Sequence, residues 1–204
     1  GGSMKVLGFD VVGAKAADFK AVADQVGFVF QDPASSFNPL LTIGAAIAEP
    51  MLVHKVAGSL DEARPAVEAL LEAVQLPIAY FERYPHELSG GQRQRASLAR
   101  ALALKPKLVI ADEPTSALDV SVQAKVLELF ARLQQELGFA CLFITHDLAV
   151  VDQVAHRVLV MHRGKLVEQG KTREVLTNPQ QDYTKKLVES LPIADPVAQR
   201  AKRG

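Results

Sequence analysis

From about Gly91 onward, helical periodicity alternates with short runs that are almost wholly apolar: Leu108-Val-Ile-Ala111, Ala140-Cys-Leu-Phe-Ile-Thr145 and Arg157-Val-Leu-Val-Met161. The intervening patterns, roughly residues 91–104 and 121–137, carry apolar residues at helical spacing. Continuously apolar strands separated by helices predict an α/β fold with a partly parallel sheet buried on both faces. Upstream, a strand with a turn at Gly8 is expected over residues 4–12, and another over Val26–Phe30 that stops at Gln31-Asp32-Pro33. Residues 41–75 read as helical, punctuated by Pro50, Gly58 and Pro65, with Ser59 or Asp61 as a cap. Arg163-Gly164-Lys165 predicts a hairpin turn into Leu166–Glu168, and the charged end, Arg200-Ala-Lys-Arg203, predicts fraying.

Composition narrows the function classes. The 204 residues carry 23 Lys plus Arg against 23 Asp plus Glu, which argues against a nucleic-acid binder held by a large basic surface. One cysteine, Cys141, excludes a disulfide framework and a cysteine-built zinc site. No run approaches the ~18–20 apolar residues that span a bilayer, so a role at a membrane would come through a partner.

Two strings carry chemistry. Asp112-Glu113 closes the strand Leu108–Ala111, and the carboxyl ends of buried strands are where open α/β sheets bind ligands. Adjacent acids there suit phosphoryl transfer, one holding Mg²⁺ and the other polarising water. In Leu88-Ser89-Gly90-Gly91-Gln92, two glycines open a helix, leaving unhindered backbone N–H groups beside a serine hydroxyl, an anion site.

These strings resemble the signature motif and the Walker B strand of ATP-binding-cassette (ABC) ATPases. Ser116-Ala-Leu-Asp119 is similar to their D-loop, Gln31 with Asp32-Pro33 to their Q-loop, and Ile144-Thr-His146 to their switch histidine, all in family order. The resemblance implies a P-loop NTPase-type α/β core with an inserted α-helical lobe. Its expected divisions are a β remnant over 1–30, the Q-loop and signature lobe over 31–104, a catalytic core over 105–176 and a C-terminal extension over 177–204. It implies ATP and Mg²⁺ as cofactors. Asp112 and Gln31 would face the metal, Glu113 would be the general base, and His146 would contact the γ-phosphate. Ser89, Gly90, Gly91 and Gln92, together with Asp119, would act on the nucleotide of a second subunit, identical or paralogous, packed head to tail.

Residues 30–44, Ala48-Glu-Pro50 and the tail Asn178–Leu187 with Leu191-Pro192 resemble the importer ATPases for oligopeptides and dipeptides, and for nickel or glutathione. That implies permease partners, a substrate-binding protein at one remove, no nucleic acid, and a peripheral place on the cytoplasmic face of the inner membrane. A non-catalytic interaction module and a soluble non-transport ABC ATPase stand as alternatives.

A family member needs a Gly-x-x-x-x-Gly-Lys-Ser/Thr phosphate loop, and the sequence contains none. Gly170-Lys171-Thr172 fails, since Gly164 lies one residue too far upstream and a hairpin precedes it; Thr172 is expected to cap a short helix through Leu176. Residues 2–11 resemble the strand and turn that follow the phosphate-loop helix, although Gly-Gly-Ser is also a common linker remnant. The expectation is a truncated cassette, inactive and aggregation-prone alone, with apolar strand faces uncovered at 108–111 and 141–145.

Overall fold

The computed structural model describes residues 3–15, 19 and 22–190. Gly1 and Gly2, Leu191-Pro192 and the charged end at Arg200–Arg203 lie outside the described residues. The chain divides into two compact units, Gly1–Ile144 and Thr145–Gly204.

The first unit opens with a hairpin, β1 (Lys5–Val6) and β2 (Phe9–Asp10), in place of a single strand with a turn. Leu7 and Gly8 both take positive φ, 51° and 83°, the two-residue turn that reverses a strand. Its main sheet is β3 (Val26–Val29), β4 (Leu108–Asp112) and β5 (Ala140–Ile144), parallel throughout and ordered β3-β4-β5. Between β3 and β4 lies the helical lobe. It comprises α1 (Pro33–Ser36), α2 (Ile43–Val53), α3 (Leu60–Ala73), two 3₁₀ turns at Ile78–Glu82 and Pro85–Glu87, and α4 (Gly90–Leu102). The long helix α5 (Val120–Leu137) joins β4 to β5.

The prolines do not divide the lobe as their spacing suggests: α2 runs through Pro50 and α3 through Pro65. An interior proline costs about 3 kcal/mol. Burial outweighs it, since Ile43, Ile47 and Met51 form one stripe of α2, and Val67 and Leu71 one stripe of α3, all in the core. Ser59 caps α3 by accepting from the Glu62 amide at 3.2 Å, as expected.

One face of the sheet is packed and the other is open. Val29, Val109 and Ala111 are buried under the helices, with Cys141 and Phe143 packed on the same core. On the opposite face Phe28, Phe30, Leu142 and Ile144 are 46%, 49%, 44% and 44% exposed. The expectation of a sheet buried on both faces therefore fails, and the uncovered apolar faces expected at 108–111 and 141–145 are found at Leu142 and Ile144, with Ile110 half-buried between strands. Topology supplies the reason. The order β3-β4-β5 steps in one direction, so right-handed crossovers place both connections on the same side.

Close approach on the packed side requires Gly27, because a Cβ there would collide with the Ala101 carbonyl oxygen of α4. Burial on that side also pushes the Cys141 thiol up to about 12. Its alkylation by iodoacetamide at pH 8 is therefore expected to be at least about a hundredfold slower than in urea, since the thiolate is the nucleophile. Equal rates would show that this face is not packed.

The second unit contains α6 (Leu148–Val154), the antiparallel pair β6 (Arg157–His162) and β7 (Lys165–Lys171), α7 (Thr172–Thr177) and α8 (Asp182–Glu189). Thr172 is not the cap of α7 but its first residue, after Lys171. Its amide donates to the His156 carbonyl at 3.1 Å, extending the strand pairing, and its hydroxyl is buried. Helix α8, unforeseen in the tail, has its approach tethered from a distance. The amides of Gln180 and Gln181 donate to the Glu168 carboxylate of β7 at 2.8 and 3.1 Å, and these bonds, Gln180 first, hold that carboxyl below its ordinary range. Tyr183 stacks on His162 with centroids 4.0 Å apart.

Candidate functional site

Strand β4 delivers its last residue, Asp112, exposed at the carboxyl end of the sheet, and Glu113 follows it half-buried. Glu113 takes φ 42°, a conformation that side chains with a Cβ adopt rarely. The backbone is pinned on both sides. Its amide donates to the Ile144 carbonyl at 2.9 Å, and its carbonyl accepts from the Ser116 hydroxyl at 3.0 Å and the Ser116 amide at 3.2 Å. Strain held by its surroundings in this way accompanies sites that need one side-chain direction. That direction leads to Gln31, whose Nε2 donates to Glu113 Oε2 at 2.9 Å across 82 residues of sequence. Gln31 stands just after β3, the neighbour of β4, so the parallel pairing of these strands brings the two together.

The turn at Ser89–Gln92 is built by reciprocal capping. Ser89 Oγ accepts from the Gln92 amide at 3.3 Å, and Gln92 Oε1 accepts from the Ser89 amide at 2.8 Å. Gln92 Nε2 in turn donates to the Tyr80 hydroxyl at 3.0 Å, so this amide shapes the turn from within. The amides of Gly90 and Gly91, as the first residues of α4, have no intrahelical acceptor, and the Ser89 hydroxyl retains its own proton. Arg93 ties the approach loop to the helix by donating to the carbonyls of Leu88 and Pro85 at 2.5 and 3.3 Å. Gly91 must lack a side chain, because a Cβ there would come within 2.5 Å of Val122 Cγ1 on α5.

Asp119 caps α5, accepting from the Ser121 hydroxyl at 2.8 Å and the Val122 amide at 3.0 Å; these bonds, Ser121 first, hold its carboxyl below the ordinary range. His146 belongs to the second unit, exposed before α6, whose cap is Asp147 accepting from the Ala149 amide at 2.9 Å. Sequence reasoning missed Tyr80 and Arg132 altogether. Arg132 lies 3.3 Å from Glu136, one turn along α5, and in sequence that reads as an ordinary solvated pair.

The donor chemistry fits a hard cation. Asp112 supplies a carboxylate and Gln31 an amide oxygen, and Mg²⁺ commonly takes only one or two protein oxygens beside water and phosphate. Among the described residues no cluster of three or more His, Cys, Asp and Glu forms a protein-only metal cage, and no helix is long and apolar enough to cross a membrane.

The family model described as ABC transporter matches residues 1–116. The oligopeptide transport ATP-binding protein OppF of Salmonella typhimurium is 48% identical over 202 residues, 99% of this chain and 60% of its own length. The glutathione import ATP-binding protein GsiA of Pectobacterium atrosepticum is 50% identical over 182 residues, 89% of this chain and 29% of its own. The chain thus spans 60% or less of these curated relatives. Among solved structures, a dimeric bacterial ABC transporter cassette superposes with TM-score 0.73 at 30% identity, covering 85% of this chain and 74% of that one. A dimeric post-hydrolysis cassette bound to ADP and Pi gives 0.70 at 29%, with the same coverage. With the family model matching more than half of its residues, the chain belongs to the ABC transporter family.

Proposed function

We propose that this chain belongs to an ATP-binding and ATP-hydrolysing subunit that energises an ABC importer for oligopeptides or dipeptides. The observation that carries the reading is the Gln31–Glu113 bond, which ties the start of the helical lobe to the carboxylate beside Asp112. The cargo class leans on the OppF relatives; glutathione is the competing cargo, through the GsiA relatives.

Bound Mg²⁺ would neutralise charge on the ATP phosphates, with Asp112 and Gln31 as its protein oxygen donors. Glu113 accepts the proton of the attacking water, and Gln31 orients that carboxylate. Ser89 donates its hydroxyl proton, and Gly90 and Gly91 their amides, to the γ-phosphate held by a second cassette. Gln92 keeps that turn in shape, and Asp119 acts across the same two-fold interface. His146 is assigned its γ-phosphate contact by family resemblance. The partners are then a second ATPase subunit, permease subunits and, through them, a substrate-binding protein, at the cytoplasmic face of the inner membrane.

The chain alone is proposed to be inactive, because residues 1–204 hold no phosphate loop. The open sheet face supports the companion proposal that it aggregates. Leaving even ~200 Å² of apolar surface in water costs about 5 kcal/mol, as much as a whole domain's stability. The full-length gene product should hydrolyse MgATP, whereas residues 1–204 alone should neither hydrolyse it nor melt cooperatively as a monomer. Adding an N-terminal segment with a Gly-x-x-x-x-Gly-Lys-Ser/Thr loop should restore both. A full-length product without ATPase activity defeats the functional reading; activity in residues 1–204 defeats only the inactivity of the fragment.

A further inference from the structure

Helix α3 ends in a Schellman arrangement, with the Leu76 amide donating to the Leu71 carbonyl at 2.8 Å and the Gln75 amide to that of Glu72 at 2.9 Å. The left-handed position of this motif, usually glycine, is here Gln75 at φ 57°. Two guanidinium groups grip this strained end from separate helices. Arg95 of α4 donates to the Gln75 carbonyl at 3.0 Å, and Arg132 of α5 donates to the Ala73 carbonyl at 2.8 Å. Arg132 thus satisfies a carbonyl of the helix's last turn, at its negative dipole end, and Arg95 that of the left-handed residue just beyond it. A cleft of about 330 Å³ lies between the same helices, lined by Ser89, Gly91, Gln75, Arg95 and Arg132 among others.

We infer that Arg95 and Arg132 are positioning residues that fix the signature turn relative to the start of α5, so that Ser89–Gly91 and Asp119 reach a second subunit's nucleotide together. The inference rests on the functional reading above. Its geometric basis is that, beside the apolar core they share, α4 and α5 are tied at two further places. One is the direct seat of Gly91 against Val122. The other is the shared grip on α3, by Arg132 ten residues further along α5, about 15 Å at 1.5 Å per residue. Apolar packing is weakly directional; a directional tie at that distance from the Gly91 seat resists a change in the angle between the helices. Hydrogen bonds from a cation to a carbonyl are directional enough to do this, and the two bonds cross 20 and 59 residues of sequence.

The test uses the full-length gene product in its complex, with Arg95→Gln, Arg132→Gln, the double variant, and the double Lys variant. Hydrolysis is titrated with MgATP, and binding of a non-hydrolysable ATP analogue is measured on dilute, monomeric subunit. The double Gln variant is expected to lose kcat about fivefold, the scale of charged hydrogen bonds discounted for their exposure, with monomer binding changed less than about twofold. The Lys variant, retaining a cationic donor at each place, should recover most of kcat. Unchanged kcat in the double Gln variant overturns the inference. So does a loss of kcat matched by weaker monomer binding or a lower melting temperature, or a loss that Lys does not relieve, since those mark a merely structural role. Ser89→Arg in the same assay separates the two levels. If it too hydrolyses normally, the signature reading has failed; if it is dead while the arginine variants are normal, only this inference has.

Discussion

Glu113→Gln in the full-length gene product is expected to lower steady-state ATP turnover by about 10²–10⁴-fold, the range for removing a general base, while ATP-driven association of subunits persists. The substitution is nearly isosteric, and the amide oxygen of Gln can still accept the hydrogen bond that Gln31 Nε2 makes to Glu113 Oε2 at 2.9 Å. Backbone geometry is equally preserved, because the φ of 42° is held by the bonds to Ile144 and Ser116 rather than by the side chain. What disappears is the basicity of one oxygen. Turnover is measured by phosphate release, and association by size exclusion with MgATP. Unchanged turnover would remove Glu113 from the role of base; turnover and association lost together would make it a structural residue.

Ser89→Arg is expected to abolish ATP-driven association and to reduce turnover by at least about tenfold, with melting temperature lowered only by the loss of a cap worth ~1 kcal/mol. The serine does two things at one place. Its Oγ accepts from the Gln92 amide at 3.3 Å, and its own proton is left for an outside acceptor. Arg removes the acceptor that shapes the turn and fills the space above the Gly90 and Gly91 amides, where the anion would sit. Light scattering with and without MgATP reads association directly. Normal association in this variant would mean that the glycine turn is simple helix entry. Gly91 offers an independent handle on the same turn, since any side chain there would collide with Val122.

Much of the site was legible because its signals are local. Ser-Gly-Gly-Gln before a helical pattern contains its own capping box, and Asp119 precedes α5 as its cap. Asp112 and Glu113 follow an apolar run short enough to be only a strand. Where local signals conflict with packing, the reading failed. Pro50 and Pro65 look like breaks but lie inside helices whose buried stripes outweigh them. Thr172 looks like a cap, but its amide is taken by the His156 carbonyl. The tail looks irregular, yet α8 forms there, its approach tied down by Glu168, twelve residues before Gln180 and on another element.

The sequence by itself determined the motif strings, their order along the chain and the family they point to, since each motif is a string whose members are neighbours. Only the tertiary structure decided that Gln31 meets Glu113, that Val122 occupies the space beside Gly91, and that Arg132 reaches the end of α3. It also decided that one sheet face stays open, through a strand order that sends both crossovers to the same side. The physical reason is range. Hydrophobic period and capping act over a few residues and are written in them, whereas contacts between distant residues depend on how whole elements pack.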